Sequence, residues 1–173
     1  MKNKITTKKG DEGYTCLWNR EIISKSSERI IALGKIDELI AILGICRSYM
    51  KDSFSNVYLN SIQIKLSKIC AEVVDIKFDN KVNDYDIKYL EEDISLIENR
   101  IILPNHWIFC GNLKSASYLN FARTVARECE RNVVNLLNKG ELENERLIVY
   151  FNRLSDLFYL MCLDVEQNIK GEI

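Results

Sequence analysis

The sequence predicts an all-α protein, a five-helix antiparallel bundle, and three observations lead there. Proline occurs once and glycine seven times in 173 residues, too few breakers for an all-β or loop-rich chain. Apolar residues recur at three- and four-residue intervals over five separate stretches, the signature of amphipathic helices. Short polar connections separate these stretches, which sets consecutive helices antiparallel. No internal repeat, linker or low-complexity tract interrupts the pattern.

Residues 1 to 27 are polar and irregular, with Gly10 and Gly13 enclosing an acidic pair. The first helix follows, on Ile30, Leu33, Ile36, Ile40, Leu43 and Ile45 up to about Met50. Ser26 and Ser27 are its candidate N-caps and Glu28 stands in its first turn. The second helix is predicted from about Ser55 to Phe78 on Leu59, Ile62, Leu66, Ile69, Val73 and Ile76. The third runs from about Tyr85 to Arg100 on Ile87, Leu90, Ile94 and Ile97, and Pro104 ends the helical pattern. The fourth spans about Leu113 to Asn138, with Gly140 as its stop. The fifth spans about Asn144 to Asn168 on Leu147, Ile148, Phe151, Leu154, Phe158 and Met161. One domain is expected over 1–173, with 1–27 as a ligand-binding N-terminal loop and 28–169 as the bundle.

With 47% hydrophobic and 28% charged residues the chain can bury a full core. Its 24 Lys and Arg balance 25 Asp and Glu. No global field therefore draws nucleic acid or an acidic membrane, and neither is expected as a partner. No apolar stretch reaches membrane-span length, and the start of the chain lacks the apolar region of a secretory signal. The six cysteines, Cys16, Cys46, Cys70, Cys110, Cys129 and Cys162, are far apart and form no C-x-x-C pair. They read as free thiols in a reducing, cytoplasmic setting. Cys46, Cys70, Cys129 and Cys162 fall within predicted helices and are assigned to the core.

Two segments carry chemistry. In the first, Thr7 to Thr15, glycines let the backbone approach a ligand, amides can face phosphate oxygens, and Lys8, Lys9 and Thr15 add donors. It is no Walker A loop, and a disordered polar tail is its bland alternative. In the second, Arg123, Arg127, Glu130 and Arg131 border the apolar stripe of the fourth helix. They make either a solvated face of intrahelical ion pairs or a triphosphate clamp, since guanidinium groups match phosphate oxygens. Asn152 and Asp156 share a face of the fifth helix. Asp37-Glu38 interrupts the apolar run of the first, where a carboxylate beside the core calls for a partner such as an arginine. His106 is the lone histidine and reads as a surface loop residue. There is no Glu-x-x-His pair and no zinc-ligand spacing, so no metal ligand is assigned.

Together these segments resemble the PduO-type ATP:corrinoid adenosyltransferases, in five blocks in the family's order. Thr7 to Thr15 matches its T-[KR]-x-G-D-x-G-x-T, and Lys25 a basic residue before the first helix. Leu33 to Leu39 matches Y-G-x-x-D-E-L, Ala122 to Arg131 matches A-R-x-x-x-R-R-A-E-R, and Asn152 to Asp156 is an intact N-R-L-S-D. The resemblance implies transfer of the 5′-deoxyadenosyl group of ATP to the cobalt(I) of a reduced cobalamin, with Mg²⁺. It implies a homotrimer with active sites between subunits. It further implies a flavoprotein or other reductant, and a cobalamin-dependent mutase or dehydratase among the candidate partners.

By that resemblance Thr7, Lys8, Lys9, Gly10, Asp11, Gly13, Thr15, Cys16 and Lys25 bind ATP with Arg127, Glu130, Arg131 and Asn152. Asp37, Arg123 and Arg127 are the catalytic set, and Asp37 pairs with Arg123 beside the corrin. The chain departs from the family at Ile101, where an aromatic is usual on the corrin side. It departs again at Asn105 and His106, which replace two glycines, and at Glu128, which replaces an arginine and lowers the positive charge near the triphosphate. A non-catalytic ATP- or corrinoid-binding carrier or sensor on the same fold is the alternative, and a ligand-free structural bundle a more distant one.

Overall fold

The computed structural model describes residues 6, 8–50, 53–106 and 108–168. Thr7, among the residues expected at the nucleotide, and residue 169, the expected end of the bundle, lie outside them. A two-stranded antiparallel hairpin, β1 (Tyr14–Cys16) and β2 (Ile22–Ser24), precedes five helices. These are α1 (Glu28–Tyr49), α2 (Ser53–Val74), α3 (Asp84–Glu98), α4 (Lys114–Asn138) and α5 (Arg146–Asn168). No described helix is long and apolar enough to cross a membrane.

Local chemistry sets the helix ends. The Ser27 hydroxyl accepts from the Ile30 amide, as expected of an N-cap with Glu28 behind it. Asn83 and Asp86 make a reciprocal capping box at the start of α3. Gly140 adopts φ +70° just past α4, a conformation with no steric cost for glycine.

α4 packs against both α1 and α5, α2 lies on the far side of α1, and α3 lies on α5. The core runs through Ile36, Leu39 and Leu43 of α1, Leu119 and Leu136 of α4, and Phe151 and Phe158 of α5, all fully buried. Polar bonds join α2 to α3: Tyr58 Oη donates to Asp93 at 2.5 Å and Lys65 pairs with Asp86 at 2.6 Å.

Two expectations need correction. α2 ends at Val74, four residues before the predicted Phe78, because buried Glu72 anchors the chain's departure there. Its carboxylate accepts the Val82 amide at 2.9 Å and the Asn144 side-chain amide at 2.6 Å. The segment read as irregular contains the hairpin. Its strands are three residues each, with exposed and half-buried positions in equal number, too short to print an alternating pattern.

Candidate functional site

A cleft of about 350 Å³ opens between α4, α5 and the α3–α4 connection. Asn120, Arg123 and Arg127 enter from α4, Asp156 and Tyr159 from α5, and Ile108 and Phe109 from the connection. Helical spacing explains the arginines. Positions 123 and 127 are one turn apart on the face beside the stripe Leu119, Ala122, Ala126 and Cys129, whose burial fixes the rotation of α4. Arg123 Nε donates to Asn120 Oδ1 at 2.9 Å, which holds the guanidinium at the cleft wall.

The intrahelical ion pairs allowed by the sequence do not form. Among the described residues no carboxylate is paired with Arg123, Arg127 or Arg131. Glu130 turns to α5 instead and accepts from Asn152 Nδ2 at 3.3 Å. Arg153 then ties Asn152 Oδ1, at 3.0 Å, to Glu91 of α3, at 2.9 Å. Glu128 faces α1, not the cleft, and pairs with Lys35 at 3.2 Å, so its charge is spent away from Arg127. Lys35 also pairs with Glu38 at 2.7 Å, and that bond, with Glu128 adding to it, holds its pKa above the ordinary value.

The expected Asp37–Arg123 pair does not form within the chain. Asp37 is exposed on α1, and its charge reaches Cys70 of α2; burial first, and Asp37 second, push that thiol up to about 11. Exposed within its own chain, Asp37 requires no partner there.

At the other end of the molecule the N-terminal segment is a pair of tight turns leading into the hairpin. The Asp11 amide donates to Lys8 O and the Gly13 amide to Gly10 O, each at 3.4 Å. Lys8 holds φ +61° and Gly13 φ +84°. The first is costly for a lysine, and such backbone strain clusters at functional loops. Lys25 Nζ donates to Gly10 O at 2.6 Å. A Cβ on Gly10 would lie 2.9 Å from that Nζ, so the lysine head would have to shift to admit any other residue. Lys8, Lys9, Asp11 and Cys16 are exposed and Thr15 is half-buried.

Among the described residues no hydrogen bond or ion pair joins the N-terminal segment to Arg123, Arg127, Glu130, Arg131 or Asn152. The hairpin is held by Asn19 donating to Val74 O at 3.4 Å and by Arg29, which pairs with Glu21 at 2.9 Å and Glu141 at 3.6 Å. It thus sits where α1 begins and α4 ends, the end at which Lys139 pairs with Glu28. At 1.5 Å per residue, Arg127 lies about 18 Å back along α4 from Lys139.

Ile101 is half-buried and packs against the core. The apolar wall of the cleft comes from Ile108 and from Phe109, which is 86% exposed. Sequence reasoning passed over both. An aromatic in a connection with no helical period was the available signal.

A five-helix bundle with an arginine-lined cleft and a glycine-turn hairpin defines the class. The cobalamin adenosyltransferase family matches residues 5–165, and the chain belongs to it. The corrinoid adenosyltransferase PduO of Salmonella typhimurium is 34% identical over 165 residues, 91% of this chain and 48% of that protein. The corrinoid adenosyltransferase of Bacillus subtilis is 33% identical over 165 residues, 90% of this chain and 83% of that one. The chain spans about half the length of the PduO relatives it matches. Among solved structures, a single-residue variant of the PduO-type ATP:corrinoid adenosyltransferase from Lactobacillus reuteri, complexed with cobalamin and ATP, is similar at a TM-score of 0.87. The two are 28% identical, over 96% of this chain and 93% of that one. A second variant, also complexed with cobalamin and ATP, reaches 0.88 at 28% identity over 96% of each chain.

Proposed function

We propose that this chain transfers the 5′-deoxyadenosyl group of ATP to the cobalt(I) of a reduced corrinoid, releasing adenosylcobalamin and triphosphate. The observation that carries this is the pair Arg123 and Arg127, without carboxylate partners among the described residues, opposite the exposed Phe109 in one cleft. The cations suit a polyphosphate and the aromatic suits a large, flat, apolar-faced ring system.

The reaction needs no protein nucleophile. Cobalt(I) supplies the electron pair to C5′ of ATP, the cobalt–carbon bond forms, and the C5′–oxygen pair leaves on triphosphate. The chain's part is to position and to stabilise charge. Lys8, Arg127 and Arg131 stabilise the leaving triphosphate. Thr7, Lys9, Gly10, Asp11, Gly13, Thr15, Cys16 and Lys25 fold over ATP, and Glu130 and Asn152 complete the nucleotide side. Arg123 and Asp37 border the corrin. Among the described residues no three His, Cys, Asp or Glu converge on a point. A Mg²⁺ accompanying ATP would supply charge compensation at the phosphate oxygens, and Glu130 is the carboxylate this chain would offer it.

The separation of about 18 Å along α4 supports a site completed by a second copy, in a homotrimer. Asp37, exposed on its own chain, then pairs with Arg123 of a neighbour. The whole of 1–173 acts as one adenosyltransferase domain, in the cytoplasm, supplied by a flavoprotein or other reductant and serving a mutase or dehydratase.

The test is an anaerobic assay of reduced cobalamin with MgATP, followed by visible spectrum. Adenosylcobalamin should accumulate with one triphosphate released per turnover. The packing of Ile101 on the core favours one other reading, a carrier or sensor. ATP and corrinoid both binding with no adenosylcobalamin formed would select it.

A further inference from the structure

The α3–α4 connection is fastened to one face of α5 at three points. Gln167 brackets Ile102, accepting its amide at 3.0 Å and donating to its carbonyl at 2.7 Å. Glu166 accepts the Gly111 and Asn112 amides at 3.3 and 3.2 Å and the Asn112 side chain at 2.7 Å. Between them, Cys110 meets Cys162, with the two sulfurs 2.7 Å apart across 52 residues of chain. Both cysteines are free thiols. A bond of about 2.05 Å lies less than an ångström of motion away.

We infer that Cys110 and Cys162 are a modification site: they form a reversible disulfide by exchange with a low-molecular-weight disulfide, clamping the cleft-lining connection onto α5.

The two thiols differ in the way exchange requires. Cys110 is half-buried in a connection, whereas Cys162 is fully buried in α5. Burial, with the neighbouring Cys110 sulfur adding to it, pushes the Cys162 thiol up. Cys110 therefore meets the external disulfide first. Its thiolate attacks one sulfur and expels the first small thiolate, leaving a mixed disulfide. Cys162 gives up its proton and attacks Cys110 Sγ, expelling the second small thiolate. Two electrons pass from the pair to the external disulfide, and the two protons end on the released thiols.

The consequence falls on the cleft, because Ile108 and Phe109 stand immediately before Cys110. The hydrogen bonds from Glu166 and Gln167 open and close with local fluctuation, and a covalent link at Cys110 does not. In a reducing compartment such a link is transient, and it reports the thiol–disulfide poise to the cleft wall.

The experiment uses the full chain with oxidised glutathione at pH 8. Denaturing alkylation and peptide mass mapping should reveal a Cys110–Cys162 linked peptide, removed by dithiothreitol. Amide exchange over residues 108–112 should slow at least about tenfold in the oxidised protein. Cys110→Ser, at a half-buried site, and Cys162→Ala should each abolish the link. If Cys162→Ala does not fold, Cys110→Ser decides with the same readout. A stable glutathione adduct on Cys110 without the internal link would overturn the inference. So would both thiols remaining alkylatable, or Cys110 pairing elsewhere. A link that forms without slowing amide exchange would overturn the clamp.

Discussion

Arg127 is exposed at the cleft and opens no core cavity when truncated. Arg127→Ala should lower the adenosylation rate about a hundredfold, the size of one lost charge-stabilising contact. The melting temperature should stay within about 2 °C, as for ordinary surface changes. A sharp fall in melting temperature with full activity would make the residue structural. Cys16 offers a second measurement on the opposite half of the site. It is exposed, whereas burial pushes the thiols of Cys46 and Cys129 up to about 12. Iodoacetamide at pH 8 should label Cys16 and spare those two. MgATP at ten times its Kd should slow the Cys16 reaction about tenfold if the loop closes over the nucleotide. Unaltered labelling at saturating MgATP would remove Cys16 from that site.

At the scale of elements, Glu72 holds together the end of α2, the α2–α3 connection and the α4–α5 connection. Glu72→Ala strands the buried Val82 amide, whereas Asn144 keeps its bond to the Val82 carbonyl at 2.9 Å. It should cost about 1–3 kcal/mol in urea unfolding, the cost of one orphaned buried group. A loss below about 0.5 kcal/mol would show that water replaces the carboxylate. The N-termini of α3 and α5 are joined by Asp84 and Arg146, at 2.6 Å. The hydrogen bond from Arg146 holds the Asp84 carboxyl below its ordinary pKa. A depressed folded-state pKa gives stability that is present above the unfolded value and is lost as pH falls through the folded one. Both groups are exposed, so the visible effect is on titration rather than on melting. An NMR titration should find Asp84 below the ordinary carboxylate range and returning to it in Arg146→Gln. An unmoved pKa in that variant would assign the shift elsewhere.

The whole molecule is tested by its assembly. Light scattering at micromolar concentration should give three times the chain mass. Lys8→Ala and Arg127→Ala should each be weak alone, for they damage opposite halves of the site. Mixed by unfolding and refolding in equal amounts, they should recover about a quarter of wild-type activity, the random share of interfaces in which both halves are intact. No recovery, with trimers formed, would place both halves in one chain.

Periodicity alone made the bundle legible, because a helix that buries one stripe must repeat apolar residues every three or four positions. The caps at Ser27 and Gly140 were legible too, since capping is local chemistry within a few residues. The arginines of α4 could be placed on one face from their spacing. That Arg127 and Arg131 lack carboxylate partners among the described residues could not, because Glu130 and Glu128 stand three residues from them, at a pairing distance. Tertiary packing settled it: α1 claims Glu128 through Lys35, and α5 claims Glu130 through Asn152. The exposure of Asp37, the inward turn of Ile101 and the meeting of Cys110 with Cys162 were likewise decided by packing between elements distant in sequence. A helix repeat determines which residues share a face; only the neighbouring helix determines what that face meets.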